Sequence, residues 1–214
     1  MKALFCKQLR LVCHPMTWAF CLFGSMFLIP NYPYTVVFFY VTLGLFFSFT
    51  NGREQRDADF TALLPVRKSD MVRVNVWFTV AVELVTLLLG VPFACISARV
   101  NPNGTNVVGL DCNVALFAAG FVLFAVFNSV FLMAFYRTGY KVGMSYLKAV
   151  IPMALVMVIC EALPHFPMLE WLNDTSTAAN VRQLPLLALG VLLYVICTWL
   201  ACRGAITRYE KVDL

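Results

Sequence analysis

The chain has 214 residues, of which 61% are apolar and only 13% charged, with a formal net charge of +5. A soluble domain is about half apolar and about a quarter charged, so this composition, with a mean hydropathy of +0.81, excludes an ordinary water-soluble fold. The charges gather in short islands between apolar runs close to the ~20 residues a helix needs to cross a bilayer. That pattern marks an all-α integral membrane protein.

In chain order, residues 2–14 (KALFCKQLRLVCH) come first. Lys2, Lys7, Gln8, Arg10 and His14 alternate with Leu4, Phe5, Leu9, Leu11 and Val12 at roughly helical spacing. A short basic amphipathic helix lies in the membrane interface, and Pro15 permits a bend into the first span. The alternative is a plain extension of that span. No small-residue cleavage site follows the first apolar run, so it is read as a retained span. Six spans are predicted, at 16–30, 34–51, 74–98, 112–135, 149–164 and 184–202. The first and fifth are short, bounded or interrupted by Pro15, Pro30, Pro152 and Pro164, with room to extend toward Leu11 and Tyr146. A rival topology folds the first two runs into a re-entrant hairpin.

Basic residues near span ends concentrate in cytoplasmic loops. With six spans, one side holds Lys2, Lys7, Arg10, Arg53, Arg56, Arg67, Lys68, Arg73, Arg137, Lys141, Lys148, Arg203, Arg208 and Lys211, and the other only Arg99 and Arg182. The imbalance places both termini in the cytoplasm. It also accounts for the net charge without a nucleic-acid partner, since no separate basic patch is left.

On the outer side, Asn31-Tyr32-Pro33 makes a tight connection. The loop near 99–111 is rich in turn residues (Asn101, Pro102, Asn103, Gly104), and that at 165–183 carries Leu169, Trp171 and Leu172 in reach of a short interfacial helix. Asn-x-Thr sequons at Asn103 and Asn173 both fall outside. Eight cysteines show no metal-site spacing, and no metal is expected. Cys95 and Cys112 flank one outer loop and are read as free thiols, with a disulfide as the alternative.

Polar residues within spans are few. Glu83, about ten residues into the third span, costs about 2.5–3.5 kcal/mol near mid-bilayer. It is therefore a candidate for the translocation path together with Asn128. The alternatives are a hydrated position near the boundary for Glu83 and an interhelical hydrogen bond for Asn128, with Ser129. Glu161, at the outer end of the fifth span, can reach water.

The largest cytoplasmic loop reads NGREQRDADFTALLPVRKSDMVRVN over 51–75. Glu54, Gln55, Arg56, Asp57 and Asp59 mix both signs, and Phe60, Leu63 and Leu64 then recur at helical spacing until Pro65 ends the helix. Ser69 is a suitable N-cap for the third span, with Asp70 in its first turn. An apolar anchor within a charged rim suits docking to a soluble partner; the alternative is a helix resting on lipid head groups.

This stretch resembles the loop of type-2 permeases of ATP-binding-cassette (ABC) exporters, above all the small six-span bacterial ones. The resemblance rests on Asp57, the Leu63-Leu64-Pro65-Val66 step, the pair Arg67-Lys68 and Asp70, and on MKALFCKQLRL, which is similar to that family's elbow helix. It implies one permease domain over 1–214, with an elbow at 1–14, a cytoplasmic coupling helix in the 52–72 loop between spans 2 and 3, and an outer loop at 165–183. It further implies ATPase docking through Glu54, Arg56, Asp57, Asp59, Phe60, Leu63, Leu64 and Pro65. ATP-Mg would be bound by an ABC ATPase partner, and a second permease would complete a homo- or heterodimer in the cell membrane.

The chain cannot be the ATPase itself, because it has no GxxxxGK[ST] and no Gly-Lys pair. A membrane enzyme needs a reactive group with a partner, yet His14 and His165 fall on opposite sides. A secondary transporter often shows related halves and broken helices; Gly90, Pro92 and Pro152 suggest breaks, but no repeat is seen. A scaffold or sensor subunit is the third alternative. The 19 phenylalanines suggest an aromatic path for amphipathic or hydrophobic cargo, peptides above all.

Overall fold

Long apolar runs must satisfy their backbone groups internally where no water reaches, and helices are how this chain does so. The computed structural model describes residues 2–100, 106–138 and 141–210. The turn at Asn101, Pro102 and Gly104, the sequon at Asn103 and the basic Lys211 lie outside the described residues. Eight α-helices are described: α1 (Lys2–Lys7), α2 (Pro15–Cys21), α3 (Val36–Glu54), α4 (Asp57–Ala62), α5 (Lys68–Val100), α6 (Val114–Arg137), α7 (Val142–Ala162) and α8 (Thr177–Tyr209). Among the described residues, α3, α5, α6, α7 with its 3-10 extension and α8 are long and apolar enough to cross a bilayer. The sixth candidate is the pair Lys2–Val12 and Pro15–Leu28, bent by 92°.

The bend is built from specific groups. After α1 the chain winds as a π-turn over Gln8–Val12 and breaks at Cys13 and His14. The Val12 carbonyl accepts from Asn51 Nδ2 at 2.9 Å, and the His14 N–H donates to Ser48 Oγ at 2.9 Å. His14 Nδ1 in turn accepts from the Met16 N–H at 3.2 Å, capping α2 just before Pro15. Lys2–Val12 therefore stands at a sharp angle to Pro15–Leu28, as in a broken span or a re-entrant loop. Beyond the bend, Pro15–Cys21 is α-helical and Leu22–Leu28 is 3-10. At about 1.5 and 2.0 Å rise per residue, this segment reaches about 25 Å, so the tighter winding recovers length that a short sequence lacks.

The other spans outgrow their apolar runs. α5 begins at Lys68, ahead of the expected N-cap Ser69, which lies inside the first turn. α7 reaches back to Val142 and α8 runs well past both predicted limits. Pro92, Pro152 and Pro185 sit within continuous helices, so the expected breaks at Pro92 and Pro152 do not occur.

α6 is the axis of the bundle, with 61% of its apolar stretch buried against 22% in each of α7 and α8. Small residues set the close crossings. A Cβ on Gly190 of α8 would lie 2.9 Å from the Ala118 carbonyl of α6, and one on Gly24 would lie 3.2 Å from Gly90 Cα of α5. Phenylalanine fills the centre: Phe27, Phe38, Phe124, Phe127 and Phe131 are among the largest fully buried side chains, with Phe127 and Phe131 stacked at 5.0 Å. Much of the aromatic content thus lies in the core of the single bundle.

At the end away from the termini, polar side chains knit the loops into a cap. Asn106 Nδ2 donates to the Tyr32 carbonyl at 2.8 Å, and Asn113 Nδ2 donates to that of Leu172 at 2.6 Å. Gln183 Nε2 donates to the Trp171 carbonyl at 3.0 Å. Leu172 is buried, so its 3-10 turn (Glu170–Leu172) rests on protein. Glu161 is engaged too: it accepts from the Thr35 N–H at 3.1 Å and the Leu110 N–H at 2.8 Å, tying α7 to the start of α3. The sequon residue Asn173 accepts from the Asp111 N–H at 2.6 Å. Cys95 and Cys112 are free thiols.

Candidate functional site

Two groups of polar residues singled out by the sequence stand apart in the structure. The first is the loop between α3 and α5. Helix α3 ends through Gln55, and Arg56 adopts a left-handed conformation (φ 51°), which turns the chain sharply into α4. Asp57 and Asp59 lie in the first turn of α4, where carboxylates complement the helix dipole. The helix is shorter than its apolar spacing suggested, ending at Ala62, so Leu63 and Leu64 belong to the descent toward Pro65.

One side of α4 is tied down. Lys7 Nζ of the elbow donates to Asp57 Oδ1 and to Thr61 Oγ1, each at 2.6 Å. Asp57 therefore faces the elbow and is not part of a free docking face. Lys7 likewise points into the protein rather than along a free polar side of the elbow. Beneath the pair is a cavity of about 160 Å³ whose lining includes Gln8, Asn75 and Tyr136. Asn75 Nδ2 donates to the Tyr136 hydroxyl at 2.8 Å.

The opposite side is open. Phe60 is 57% exposed and Leu63 85% exposed, with Leu64 and Pro65 beside them and Glu54, Arg56 and Asp59 exposed around them. Phe60 on the pinned helix, with Leu63 and Leu64 just past its end, makes an exposed apolar group within a charged rim. Lys68, at the start of α5, lies 5.9 Å from the Tyr209 ring, fixing the loop's far end to α8.

The second group surrounds Glu83, which is fully buried (0% exposed) between α5, α6 and α8. Its Oε2 accepts from Tyr194 OH at 2.6 Å and from Asn128 Nδ2 at 3.0 Å, and the Asn128 amide also reaches Thr198 Oγ1 at 3.3 Å. Glu83 Oε1 and Asn128 Oδ1 have no hydrogen-bond partner. Glu83 is thus neither hydrated at a boundary nor isolated. Asn128 is equally buried within the single chain. Tyr194 and Thr198 were missed by the sequence reading. The signal was present, since they are two polar residues four apart in an apolar helix, and Asn75, Thr79, Glu83 and Thr86 make a matching stripe on α5.

Among the described residues, no group of three or more His, Cys, Asp or Glu could hold a metal ion. No curated protein and no solved structure is similar enough to this chain to match it. Residues 3–207, however, match the family described as ABC-2 family transporter protein. With its apolar helices and nearly full-length match, the chain belongs to the ABC-2 transporter family as the membrane-spanning permease subunit of an ABC transporter.

Proposed function

We propose that this permease is half of an exporter in the cell membrane, with six spans, both termini in the cytoplasm and ATPase subunits docked on its 51–75 loop. The observation that carries this reading is the exposed Phe60 on a helix held from behind by Lys7, with the exposed Leu63 and Leu64 just past its end. An apolar core with a charged rim is how soluble partners are recognised, and Glu54, Arg56 and Asp59 supply the rim. ATP-Mg stays in the partner. The basic residues, gathered at the end that carries the elbow and α4, favour the cytoplasmic assignment.

The path requires a second permease, identical or different. The middle of one bundle is occupied by α6 and its phenylalanine packing, which leaves no lumen for cargo. The walls such a pair would share are apolar, so the cargo proposed is amphipathic or hydrophobic, a peptide before a lipid or drug.

The test is co-purification of the ATPase with the double variant Phe60→Ala, Leu63→Ser, and separately with Asp59→Lys. The double variant should lose about tenfold or more of the bound ATPase, since large buried anchors each contribute 2 kcal/mol or more at an interface. Undiminished co-purification overturns the docking assignment. In the same reconstituted complex, amphipathic peptides should stimulate ATP hydrolysis, and a flat response to all of them removes peptides as cargo.

A further inference from the structure

At the membrane boundary on the basic side, three cations from three spans converge on one cavity. Arg137 ends α6, Lys148 lies near the start of α7, and Arg208 lies near the end of α8. Together they line a hollow of about 460 Å³ whose remaining lining comes from α6, including Ser129 and Thr138 with Val130 and Met133. Among the described residues lining it there is no carboxylate. The Arg208 guanidinium is held in place by donating through Nη1 to the Met133 carbonyl at 3.0 Å, and the residue lines the hollow.

Three positive charges with no carboxylate among the described lining residues, beside the apolar Val130, Met133 and Ala134, suit an anion that brings its own apolar body. The surroundings match that shape. On α7, Leu147, Ile151 and Leu155 form an exposed stripe at four-residue spacing that runs from the level of Lys148 into the apolar zone. On α8, Leu200, Ile196, Leu193 and Leu189 form a second one. The exposed apolar side chains of these two helices suit the two acyl chains of a phospholipid whose headgroup sits among the cations.

We propose that the hollow formed by Arg137, Lys148 and Arg208 binds the headgroup of an anionic phospholipid in the cytoplasmic leaflet, with its chains along α7 and α8. The leaflet assignment rests on the orientation proposed above; the site itself does not. Basic residues next to the membrane surface attract anionic lipid, and arginine is suited to phosphate because its planar fork can donate two parallel bonds.

The experiment uses the purified full-length permease in phosphatidylcholine nanodiscs with or without phosphatidylglycerol, reading retained lipid by native mass spectrometry. Arg137→Gln, Lys148→Gln and Arg208→Gln should each weaken phosphatidylglycerol retention about fivefold, and the triple variant by about a hundredfold. Arg203→Gln removes the same charge from α8 outside the hollow, where Arg203 stacks on Trp199 at 4.0 Å, and should leave retention unchanged. Val130→Phe fills the floor with every charge kept, should also abolish retention, and covers the case of a misfolded triple variant. Lys148→Arg should restore what Lys148→Gln loses. Equal retention by the wild type and the triple variant overturns the site, as does an equal loss with Arg203→Gln. Displacement of the lipid by inorganic phosphate at equal concentration would mean that the hollow takes free phosphate, which overturns the lipid. These readouts are independent of ATPase co-purification.

Discussion

At the scale of single residues, the polar atoms that matter most are those enclosed with incomplete partners. Glu83→Gln keeps an acceptor for Tyr194 and Asn128 in the same shape, so its unfolding midpoint in detergent should stay close to that of the wild type. Glu83→Ala strands a tyrosine hydroxyl and an amide N–H in a dry interior, which costs about 1–3 kcal/mol for each stranded group and should lower the midpoint clearly. Asp111 makes a different case at the far end of the bundle. Burial pushes its carboxyl up from the ordinary 3.8 to about 6, partly offset by the Asn106 N–H donating to Oδ1, while Oδ2 has no partner. A raised value means that the folded state holds this proton more tightly than the unfolded chain does. The resulting stability is complete below about 4 and is lost as the pH rises through about 6. The protein should therefore resist heat better at about pH 5 than at about pH 7, and Asp111→Asn should flatten that difference.

At the scale of elements, the crossing of α6 and α8 is set by one missing side chain. Gly190→Leu would drive a branched group into the Ala118 backbone, which cannot step aside as a flexible side chain could. The expected cost is about 1–3 kcal/mol, read as a lower unfolding midpoint, with Gly190→Ala intermediate. Elements were also where the sequence was most and least legible. Hydropathy located α3, α5, α6, α7 and α8, because a bilayer demands long apolar runs. Their ends escaped it, because Lys68–Arg73 and Thr177–Gln183 continue as helix in water or protein, where no hydropathy signal marks the limit. The elbow was visible as a basic amphipathic stretch followed by Pro15, but the groups that make its bend, Ser48 and Asn51, come from α3 and leave no local trace. Likewise Asp57 read as a free charge because its partner Lys7 is 50 residues away. The helical spacing of Phe60, Leu63 and Leu64 suggested one helix face, whereas α4 ends at Ala62 and leaves the two leucines in the chain leading to Pro65.

At the scale of the whole molecule, enclosure is graded from the axial α6 to the lightly buried α7 and α8. A helix buried on all sides sets the geometry of those around it, while helices left largely open must find lipid or another subunit. The phenylalanines follow the same gradient and concentrate around α6, which is why their abundance described a core and not a conduit. The lipid hollow and the docking loop lie toward the same end but on different elements, so each can be removed without the other.

The ion pair between Lys7 and Asp57 has a mechanical meaning. The elbow stands at 92° to the segment that follows it, so it lies across the bundle like a crossbar rather than along it. The elbow is fastened at two points along its length, to α4 through Lys7 and to α3 through Val12 and His14.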